Sequence, residues 1–219
     1  MLYIVATPIW NLEDITLRAI RILSEVDSIA CEDTRTSATL LNHYNIKKPL
    51  ISFHSHSGVM KIEKIIDDLK NGKNIALISD AGTPGISDPG YALIKEALQN
   101  NIEVTPIPWV TACITALCAS GLPSNHFLYL WFLPIKKGRQ TMLKKLQNKE
   151  ETVVIYESVH RIVKTLEDFI EYFWADTQIV VGRELTKKFE EFKRGTIKEV
   201  FDYFSQHSEK VKGEFVIIF

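Results

Sequence analysis

Short apolar runs rich in β-branched residues alternate with amphipathic stretches through the first half of the chain. The runs predict strands at 2–6, 28–31, 50–53, 74–79 and 103–107. The stretches between them predict helices at 13–25, 35–44, 59–71 and 90–100. In the first of these helices, one face carries Ile15, Ala19, Ile22, Leu23 and Val26. This alternation predicts a mostly parallel sheet with helices on both faces, a doubly wound α/β domain.

Proline and glycine separate this half from the next. The fifth strand ends at Ile107-Pro108, and a predicted helix over 110–120 stops at Gly121-Leu-Pro. We therefore predict two domains, residues 1–109 and 110–219. The second contains predicted strands at 127–133, 152–156, 178–182, 190–194 and 214–219, and helices near 137–148, 159–173 and 196–206. Fewer crossovers and more hairpin-like spacing predict a mixed α/β sheet there.

Composition limits the classes of protein to consider. With 219 residues, of which 46% are hydrophobic, the chain can bury a core in each domain and is not a disordered protein. The longest apolar run, 127–134, is much shorter than the roughly 20 residues that cross a bilayer. The N-terminal run lacks a basic leader and a cleavage site, so we interpret it as a first strand rather than a signal peptide.

The cysteines and the net charge carry further expectations. Three cysteines lie in apolar stretches without Cys-x-x-Cys spacing, which predicts buried free thiols in a reducing compartment. A net charge of -1 gives no overall attraction to a polyanion, so a nucleic acid would have to be held by local basic patches. The candidates for such a patch, each of which is equally well explained as solvated surface, are Lys136, Lys137, Arg139, Lys144, Lys145, Lys187, Lys188, Lys193 and Arg194.

The segment from 74 to 90 is the most informative part of the chain. A buried strand leads directly into a loop with three glycines, two prolines and two aspartates, at the position where open α/β sheets bind ligands. Glycine lets a ligand approach the main chain, and proline fixes the loop so that little order must be gained on binding. The loop matches neither the dinucleotide fingerprint nor the phosphate-binding loop. We therefore predict a ligand site of another kind here, rather than an ordinary tight turn.

Five separated motifs resemble one family in order along nearly the whole chain. They are Leu2-Tyr-Ile-Val-Ala-Thr-Pro8-Ile-Trp10-Asn11, Ala30-Cys-Glu32-Asp33-Thr34-Arg35, the loop from Ser79 to Gly90, Tyr156-Glu-Ser-Val-His160-Arg161 and Arg183-Glu184-Leu-Thr-Lys187. The chain is identified by them as similar to the ribosomal RNA small-subunit methyltransferase I family, within the tetrapyrrole methylase superfamily. The resemblance implies a cytoplasmic, S-adenosylmethionine-dependent methyltransferase that modifies a cytidine ribose 2′-hydroxyl in 16S rRNA. It also implies a homodimer, no resident metal and no membrane partner.

The resemblance implies site residues as well. The cofactor would lie in a cleft between the two domains and be held by Pro8, Asp80, Ala81, Gly82, Thr83, Ile86, Ser87, Thr111, Ala112 and Tyr156. Methyl transfer depends mainly on alignment, and a general base would assist a weakly acidic ribose hydroxyl. The candidate catalytic residues are Glu32, Asp33, Arg35, Glu184 and Lys187. Arg35 is better suited to a phosphate or to orienting a carboxylate, and each residue could equally belong to a structural ion-pair network.

Three tryptophans depart from the family pattern, which has glycine at the positions of Trp10, Trp109 and Trp131. Indoles there could block the cofactor cleft, which leaves a non-catalytic binding protein as one alternative. A methylase of the same fold that acts on a tetrapyrrole or a modified histidine is another. The His54-Ser-His56 pair lacks further ligand clusters, so we interpret it as polar loop residues rather than a metal site.

Overall fold

The computed structural model describes residues 1–54, 58–86, 90–108 and 110–219. It divides into two compact units, Met1–Thr111 and Ala112–Phe219. The division falls two residues after the domain boundary that the sequence predicts. No helix in these described ranges is long and apolar enough to cross a membrane.

The first unit is built on a five-stranded parallel sheet. Its strands are β1 (Leu2–Val5), β2 (Ser28–Cys31), β3 (Leu50–Ser52), β4 (Ile75–Ile78) and β5 (Val104–Ile107), in the spatial order β3-β2-β4-β1-β5. Every neighbouring pair is parallel. The described helices are α1 (Leu17–Glu25), α2 (Thr34–His43), α3 (Val59–Lys70) and α4 (Gly90–Gln99). The predicted parallel sheet is therefore confirmed.

Two separate apolar clusters cover the two faces of this sheet. Helices α1 and α2 contribute to one cluster through residues such as Leu23 and Leu41. Helices α3 and α4 contribute to the other through residues such as Ile66 and Leu93. Because side chains alternate along β1, Val5 belongs to the first cluster, whereas Leu2 and Ile4 belong to the second. The doubly wound arrangement is confirmed.

The helix predicted over 13–25 begins later than expected. A short 3-10 helix covers Leu12–Asp14, and α1 starts at Leu17 because Thr16 caps it, accepting a hydrogen bond from the Ala19 N–H at 3.0 Å. The predicted apolar face is nevertheless correct, since all five of its residues are buried. The prediction of three buried thiols was wrong for one cysteine: Cys31 and Cys113 are buried, whereas Cys118 is exposed.

The second unit is a mixed five-stranded sheet, as predicted. Its strands are β6 (Phe127–Phe132), β7 (Thr152–Ser158), β8 (Gln178–Arg183), β9 (Glu191–Thr196) and β10 (Glu214–Ile218), in the order β6-β7-β10-β8-β9. Strands β6 and β7 are parallel, and the other pairs are antiparallel. The helices are α5 (Ala112–Ser120), α6 (Arg139–Gln147), α7 (Ile162–Tyr172) and α8 (Ile197–Gln206). A 3-10 helix follows at Ser208–Lys210.

One core fills the side of this sheet that α6, α7 and α8 cover. Phe169, Phe204 and Phe215 are among its fully buried side chains. Val154 and Val216 alternate with core residues along their strands, and helix α5 contacts the same two strands, β7 and β10. Helix α8 begins with a complete capping box, in which Thr196 and Glu199 satisfy each other's main-chain N–H groups.

Candidate functional site

The first candidate region lies at the carboxyl ends of the parallel strands in the first unit. Strand β4 leads into residues 79–86, called the glycine loop below, beside the end of β1. The main chains of Thr7 and Gly82 bond in both directions, with N to O distances of 2.9 and 3.0 Å. The Thr7 hydroxyl donates to the Ser79 carbonyl at 3.0 Å, and the Ser79 hydroxyl donates to the Gly82 carbonyl at 3.0 Å. These bonds fix the loop to the sheet edge where ligands bind in this architecture.

Two glycines of this loop adopt the left-handed conformation. Gly82 has φ +83° and Gly85 has φ +86°, a region that L side chains rarely occupy. A Cβ on Gly85 would also lie 3.2 Å from Ile94 Cδ1. The Thr83 hydroxyl donates to the Val110 carbonyl at 3.3 Å, which ties the loop to the end of the first unit. These two glycines are therefore required by backbone conformation, a reason additional to the close approach of a ligand that the sequence analysis proposed.

Asp80 links the glycine loop to the neighbouring strand end. Its Oδ1 accepts a hydrogen bond from the Asp33 main-chain N–H at 3.1 Å. Among the residues that the structure describes, no acceptor lies within hydrogen-bond distance of the main-chain N–H groups of Ala81 and Thr83. The loop thus presents a carboxylate acceptor and main-chain donors side by side. This donor and acceptor set fits the ammonium and carboxylate groups at the methionine end of S-adenosylmethionine.

Glu32, Asp33 and Arg35 lie together at the end of β2. Asp33 caps α2, accepting from the Arg35 N–H at 2.8 Å, and its other oxygen pairs with Arg35 Nη2 at 2.6 Å. The Arg35 guanidinium, by its hydrogen bonds, lowers the pKa of Asp33 to about 2. A carboxylate with so low a pKa is a weak proton acceptor at neutral pH. The Arg35 side chain is 90% exposed, which leaves it accessible to an anion.

The remaining two catalytic candidates lie in the second unit, in residues 183–191, called the charged turn below. Lys187 Nζ lies 2.8 Å from Glu184 Oε1 and 3.1 Å from Glu214 Oε2, and the Glu214 N–H also donates to Glu184 Oε1 at 3.1 Å. Glu184 and Thr186 have φ +51° and +65°, although neither is glycine. Each non-glycine residue in this conformation costs about 1–3 kcal/mol. The side-chain and main-chain bonds of the turn offset that cost.

The ion pairs in the charged turn change the pKa values of both partners. Burial raises the pKa of Glu184, but the hydrogen bonds from Lys187 and from the Glu214 N–H outweigh it, and the net direction is down. Burial lowers the pKa of Lys187, but its bonds to Glu184 and Glu214 outweigh it, and the net direction is up. Lys187 is therefore an ammonium at neutral pH. Since Glu184 and Glu214 already pair with this ammonium group, it stabilises the turn and is not suited to accepting a proton.

Tyr156 has a structural contact that the sequence did not reveal. Its phenolic oxygen accepts a hydrogen bond from the Cys113 main-chain N–H at 3.0 Å, in the first turn of α5. Its ring makes edge contacts with Tyr129 and Trp131, with centroids 5.6 and 5.2 Å away. Burial raises the pKa of the Tyr156 phenol. Tyr156 therefore accepts a hydrogen bond from a main-chain N–H in the first turn of α5, in addition to any contact with a cofactor.

A buried polar network near the end of β7 was missed by the sequence analysis. The fully buried Glu157 carboxylate accepts from Arg161 Nε at 2.7 Å and from the Thr165 hydroxyl at 2.6 Å. Arg139 donates to Asp168 at 2.7 Å and to Thr165 at 2.8 Å. The signal that could have indicated it is the i, i+4 spacing of Glu157 and Arg161 at a strand-to-helix junction.

The other predicted cofactor residues are dispersed along the chain. Pro8 is buried beside Thr7, and Ile86 is 46% exposed in the glycine loop. Thr111 ends the first unit and Ala112 begins α5. Ser87 lies outside the described residues, so its predicted contact stays a prediction.

Some of the tryptophans and histidines singled out in the sequence lie within the described residues, and others do not. Trp10 and Trp131 are about half exposed, and Trp10 has φ +83°, whereas Trp109 is outside the described residues. β3 ends at Ser52, so His54 lies beyond the strand, in agreement with its interpretation as a loop residue, and His56 is outside the described residues. The described part of the chain contains no group of three or more His, Cys, Asp or Glu side chains placed to hold a metal.

Comparison with known proteins assigns the fold first. The chain matches the family of Tetrapyrrole (Corrin/Porphyrin) Methylases over residues 1–200. The solved structure of diphthine synthase covers 99% of this chain and 88% of its own, with a TM-score of 0.76 at 14% identity. A cobalt precorrin-4 methyltransferase covers 99% and 93%, with a TM-score of 0.71 at 17% identity. The class of protein is therefore the tetrapyrrole-methylase-like α/β class, and the predicted fold class is confirmed.

Curated relatives narrow this class further. Ribosomal RNA small subunit methyltransferase I of Haemophilus influenzae is 47% identical over 219 residues, which are 100% of this chain and 77% of the relative. The protein of the same name from Thermotoga maritima is 43% identical over 217 residues, which are 99% of this chain and 96% of the relative. The chain belongs to the ribosomal RNA small subunit methyltransferase I family, so the resemblance read from its five motifs is confirmed.

Proposed function

We propose that this protein transfers a methyl group from S-adenosylmethionine to the ribose 2′-hydroxyl of a cytidine in 16S rRNA. The observation that carries the proposal is identity of 43% or more, over nearly the whole chain, to relatives named ribosomal RNA small subunit methyltransferase I. The chemistry of the glycine loop supports the cofactor. We further propose that the protein works in the cytoplasm and as a homodimer, which sedimentation of the purified chain would test.

The glycine loop is the proposed binding site for the methionine end of the cofactor. When bound, S-adenosylmethionine supplies a methyl group on a positively charged sulfur. Asp80 would accept from the ammonium group, and the N–H groups of Ala81 and Thr83 would donate to the carboxylate. Because main-chain bonds to Thr7 already fix Gly82, the loop loses little further conformational entropy when the cofactor binds. The remaining predicted contacts, including those of Ser87, Thr111, Ala112 and Tyr156, belong to the same proposal.

The five candidate catalytic residues differ in what they can do. The lowered pKa values of Asp33 and Glu184 make both poor bases, and the raised pKa of Lys187 keeps it protonated. We propose that Arg35 binds a substrate phosphate, because it is a cation whose side chain is 90% exposed. Lys187 is held by Glu184 and Glu214, and we propose that it orders the charged turn. Glu32 is the remaining candidate for proton acceptance, and we propose it as the first residue to test.

Two experiments test this function directly. Calorimetric titration should show binding of S-adenosylmethionine at micromolar concentration, whereas no binding at millimolar ligand would favour a non-catalytic protein with a blocked cleft. Incubation with tritiated cofactor and unmodified small ribosomal subunits should then label the RNA, and mass mapping should place the label on a ribose. Label on a base, or transfer only to a tetrapyrrole or a modified histidine, would contradict the proposed substrate. A Glu32→Gln variant should bind the cofactor normally and transfer the methyl group about a hundredfold more slowly or worse.

A further inference from the structure

The strongest local concentration of positive charge lies at the end of β6 and in α6. Residues 127–148 contain five basic residues and no aspartate or glutamate, although the whole chain has a net charge of -1. The rest of the chain is therefore net acidic. A basic segment within an acidic protein gives a directional attraction for a polyanion that the overall charge does not.

The structure separates the cations of the predicted patch into neutralised and available groups. Arg139 pairs with Asp168, Lys187 pairs with Glu184, and Arg194 donates to carbonyl oxygens at the end of α5. In contrast, four lysines are exposed and have no acidic partner among the residues that the structure describes: Lys136, Lys137, Lys144 and Lys145. All four belong to the segment without acids, where the exposed positive charge is most concentrated. Lys188 and Lys193 of the predicted patch lie outside this segment, over the rings of Phe189 and Tyr203.

The loop between β6 and α6, residues 133–138, is held rigidly in place. Arg161 Nη1 donates to the Leu133 carbonyl at 3.2 Å, and Arg139 Nη1 donates to the Pro134 carbonyl at 3.2 Å. The Arg139 N–H closes a turn onto the Lys136 carbonyl at 3.2 Å, and Gly138 takes φ +85° within that turn. Lys136 and Lys137 are thus displayed on a preformed backbone, so binding through them loses little chain entropy.

The two arginines are in turn fixed by the buried polar network. Arg161 pairs with the fully buried Glu157, and Arg139 pairs with Asp168, whose side chain is 11% exposed. In both arginines, Nε pairs with a carboxylate inside the unit. Nη1 of each is then directed to a loop carbonyl. These buried ion pairs hold the two guanidinium groups at the positions from which they bond to the loop carbonyls.

Exposed rings adjoin the same loop. Trp131 and Phe132, the last residues of β6, are 45% and 41% exposed, and Ile135 within the loop is 74% exposed. Nucleic-acid surfaces combine lysines that follow the phosphates with ring faces on which unpaired bases stack. A membrane surface would also attract lysines, but the segment has no amphipathic helix with a broad apolar exposed face, since the buried residues of α6 are its leucines.

We propose that the basic loop, defined as residues 133–138, and the exposed lysines of α6 form the surface on which a single-stranded segment of the substrate RNA lies. The proposal deepens the function proposed above and rests on it, because it takes the substrate to be RNA. Lys136 and Lys137 contact phosphates, Arg139 and Arg161 act as positioning residues for the loop, and the adjoining rings stack with bases.

The salt dependence of RNA binding tests this surface. The full chain is titrated with small-subunit ribosomal RNA transcribed in vitro, across a series of salt concentrations. A Lys136→Gln/Lys137→Gln variant should lower the slope of log affinity against log salt by about 1.4, since each lost contact to single-stranded phosphate contributes about 0.7. Near 0.1 M salt this corresponds to a loss of affinity on the order of tenfold.

Two matched variants separate a local surface from net charge. Lys64→Gln/Lys70→Gln removes the same charge from exposed positions of α3, a helix that also carries acids, and should leave the slope unchanged. Lys136→Arg/Lys137→Arg keeps the charge and should keep the slope. Equal slopes for wild type and the loop double variant would overturn the proposal, as would an equal loss in the α3 variant.

Cofactor titration of the same proteins keeps the two proposals apart. All variants should bind S-adenosylmethionine as the wild type does, because none touches the glycine loop. If the wild type binds no cofactor, the proposed function fails while the salt slopes still decide the RNA surface. If cofactor binds and the loop lysines leave the RNA affinity unchanged, the surface is wrong and the proposed enzyme remains.

Discussion

The glycine loop and the charged turn both follow a strand at its carboxyl end, but they are ordered by opposite means. In the glycine loop, left-handed positions are occupied by Gly82 and Gly85, and main-chain bonds to Thr7, just after β1, supply the order. In the charged turn, Glu184 and Thr186 occupy left-handed positions, and ion pairs supply the order. The first arrangement leaves donors available for a small ligand, whereas the second uses its polar groups internally. A ligand-binding loop and a structural turn can thus be distinguished by where their hydrogen bonds end.

The largest effect on stability is expected from Gly213→Ala, a substitution outside the charged turn that displaces a side chain within it. Gly213 has φ +81°, and a Cβ there would overlap the Glu184 carboxylate. We expect the free energy of unfolding to fall by about 3 kcal/mol, from backbone strain of about 1–2 kcal/mol and the hydrogen bonds that Glu184 must release. Chemical denaturation measures it, with Gly72→Ala as control, because Gly72 has φ +85° and open space around its Cβ position. An equal loss in both variants would show that the ion pairs contribute nothing.

Gly82→Ala should affect binding more than folding. The left-handed φ of +83° costs about 1–2 kcal/mol with alanine, while a Cβ would meet Ile9 and Val110 only at ordinary contact distance, 3.6 Å. We expect at least a tenfold loss of affinity for S-adenosylmethionine, because relief of the strain shifts the main-chain donors of the loop. Calorimetry on Gly82→Ala and Gly72→Ala makes the comparison, since the second carries the same strain elsewhere in the first unit. Unchanged affinity in Gly82→Ala would move the cofactor site away from this loop.

The pH dependence of the stability of Lys187→Met tests whether ion pairs stabilise the charged turn. The pKa of Glu184 is lowered in the folded protein, so its stabilising contribution is present above the unfolded pKa and is lost as pH falls through the folded one. The wild type should therefore lose stability as the pH falls below about 4.5, the ordinary pKa of a glutamate. In the variant, stability should fall less steeply with decreasing pH. Melting temperatures across the acid range measure both slopes. Parallel slopes would mean that Lys187 does not stabilise the carboxylate.

The smallest effect, and the only gain, is expected from Trp10→Gly. Trp10 has φ +83° and is 55% exposed, so it pays the left-handed penalty without burying most of its ring. Glycine should raise the free energy of unfolding by about 1 kcal/mol, the penalty less the added chain entropy. Trp174→Gly is the control, because that exposed tryptophan has no positive φ. A loss of stability in Trp10→Gly would show that the indole makes contacts that outweigh the strain.

Elements with a strong local pattern could be predicted from the sequence. The strand at 28–31 coincides with β2, and most other predicted elements differ from the observed ones by one to three residues, since periodicity and punctuation are properties of neighbouring residues. The late start of α1 depends on whether Asn11 or Thr16 provides the cap, and both residues are good caps. Local competition of this kind is not resolved by periodicity.

In the candidate site, too, local features could be predicted and long-range contacts could not. The glycine loop could be predicted because glycines, prolines and aspartates are concentrated directly after a buried strand, which is a local feature of the sequence. The bonds from Asp80 to Asp33 and from Tyr156 to Cys113 could not, since each joins residues more than 40 positions apart. Asp33 and Lys187 have local partners, Arg35 and Glu184, for which the sequence left both an ion pair and a catalytic role open. Among these ion pairs, only the contact of Lys187 with Glu214, 27 positions away, could not be predicted from spacing.

The position of β10 in the second sheet has a consequence for biosynthesis. The strand lies between β7 and β8, so its two hydrogen-bonded edges join the halves of that sheet. On a translating ribosome, β6 to β9 emerge first and have no central partner until residue 218 has left the exit tunnel. The first unit, by contrast, has all five strands once residue 107 is free. The nascent chain therefore acquires its two halves at different times, and the open edges of β7 and β8 are what a chaperone would have to shield in the interval.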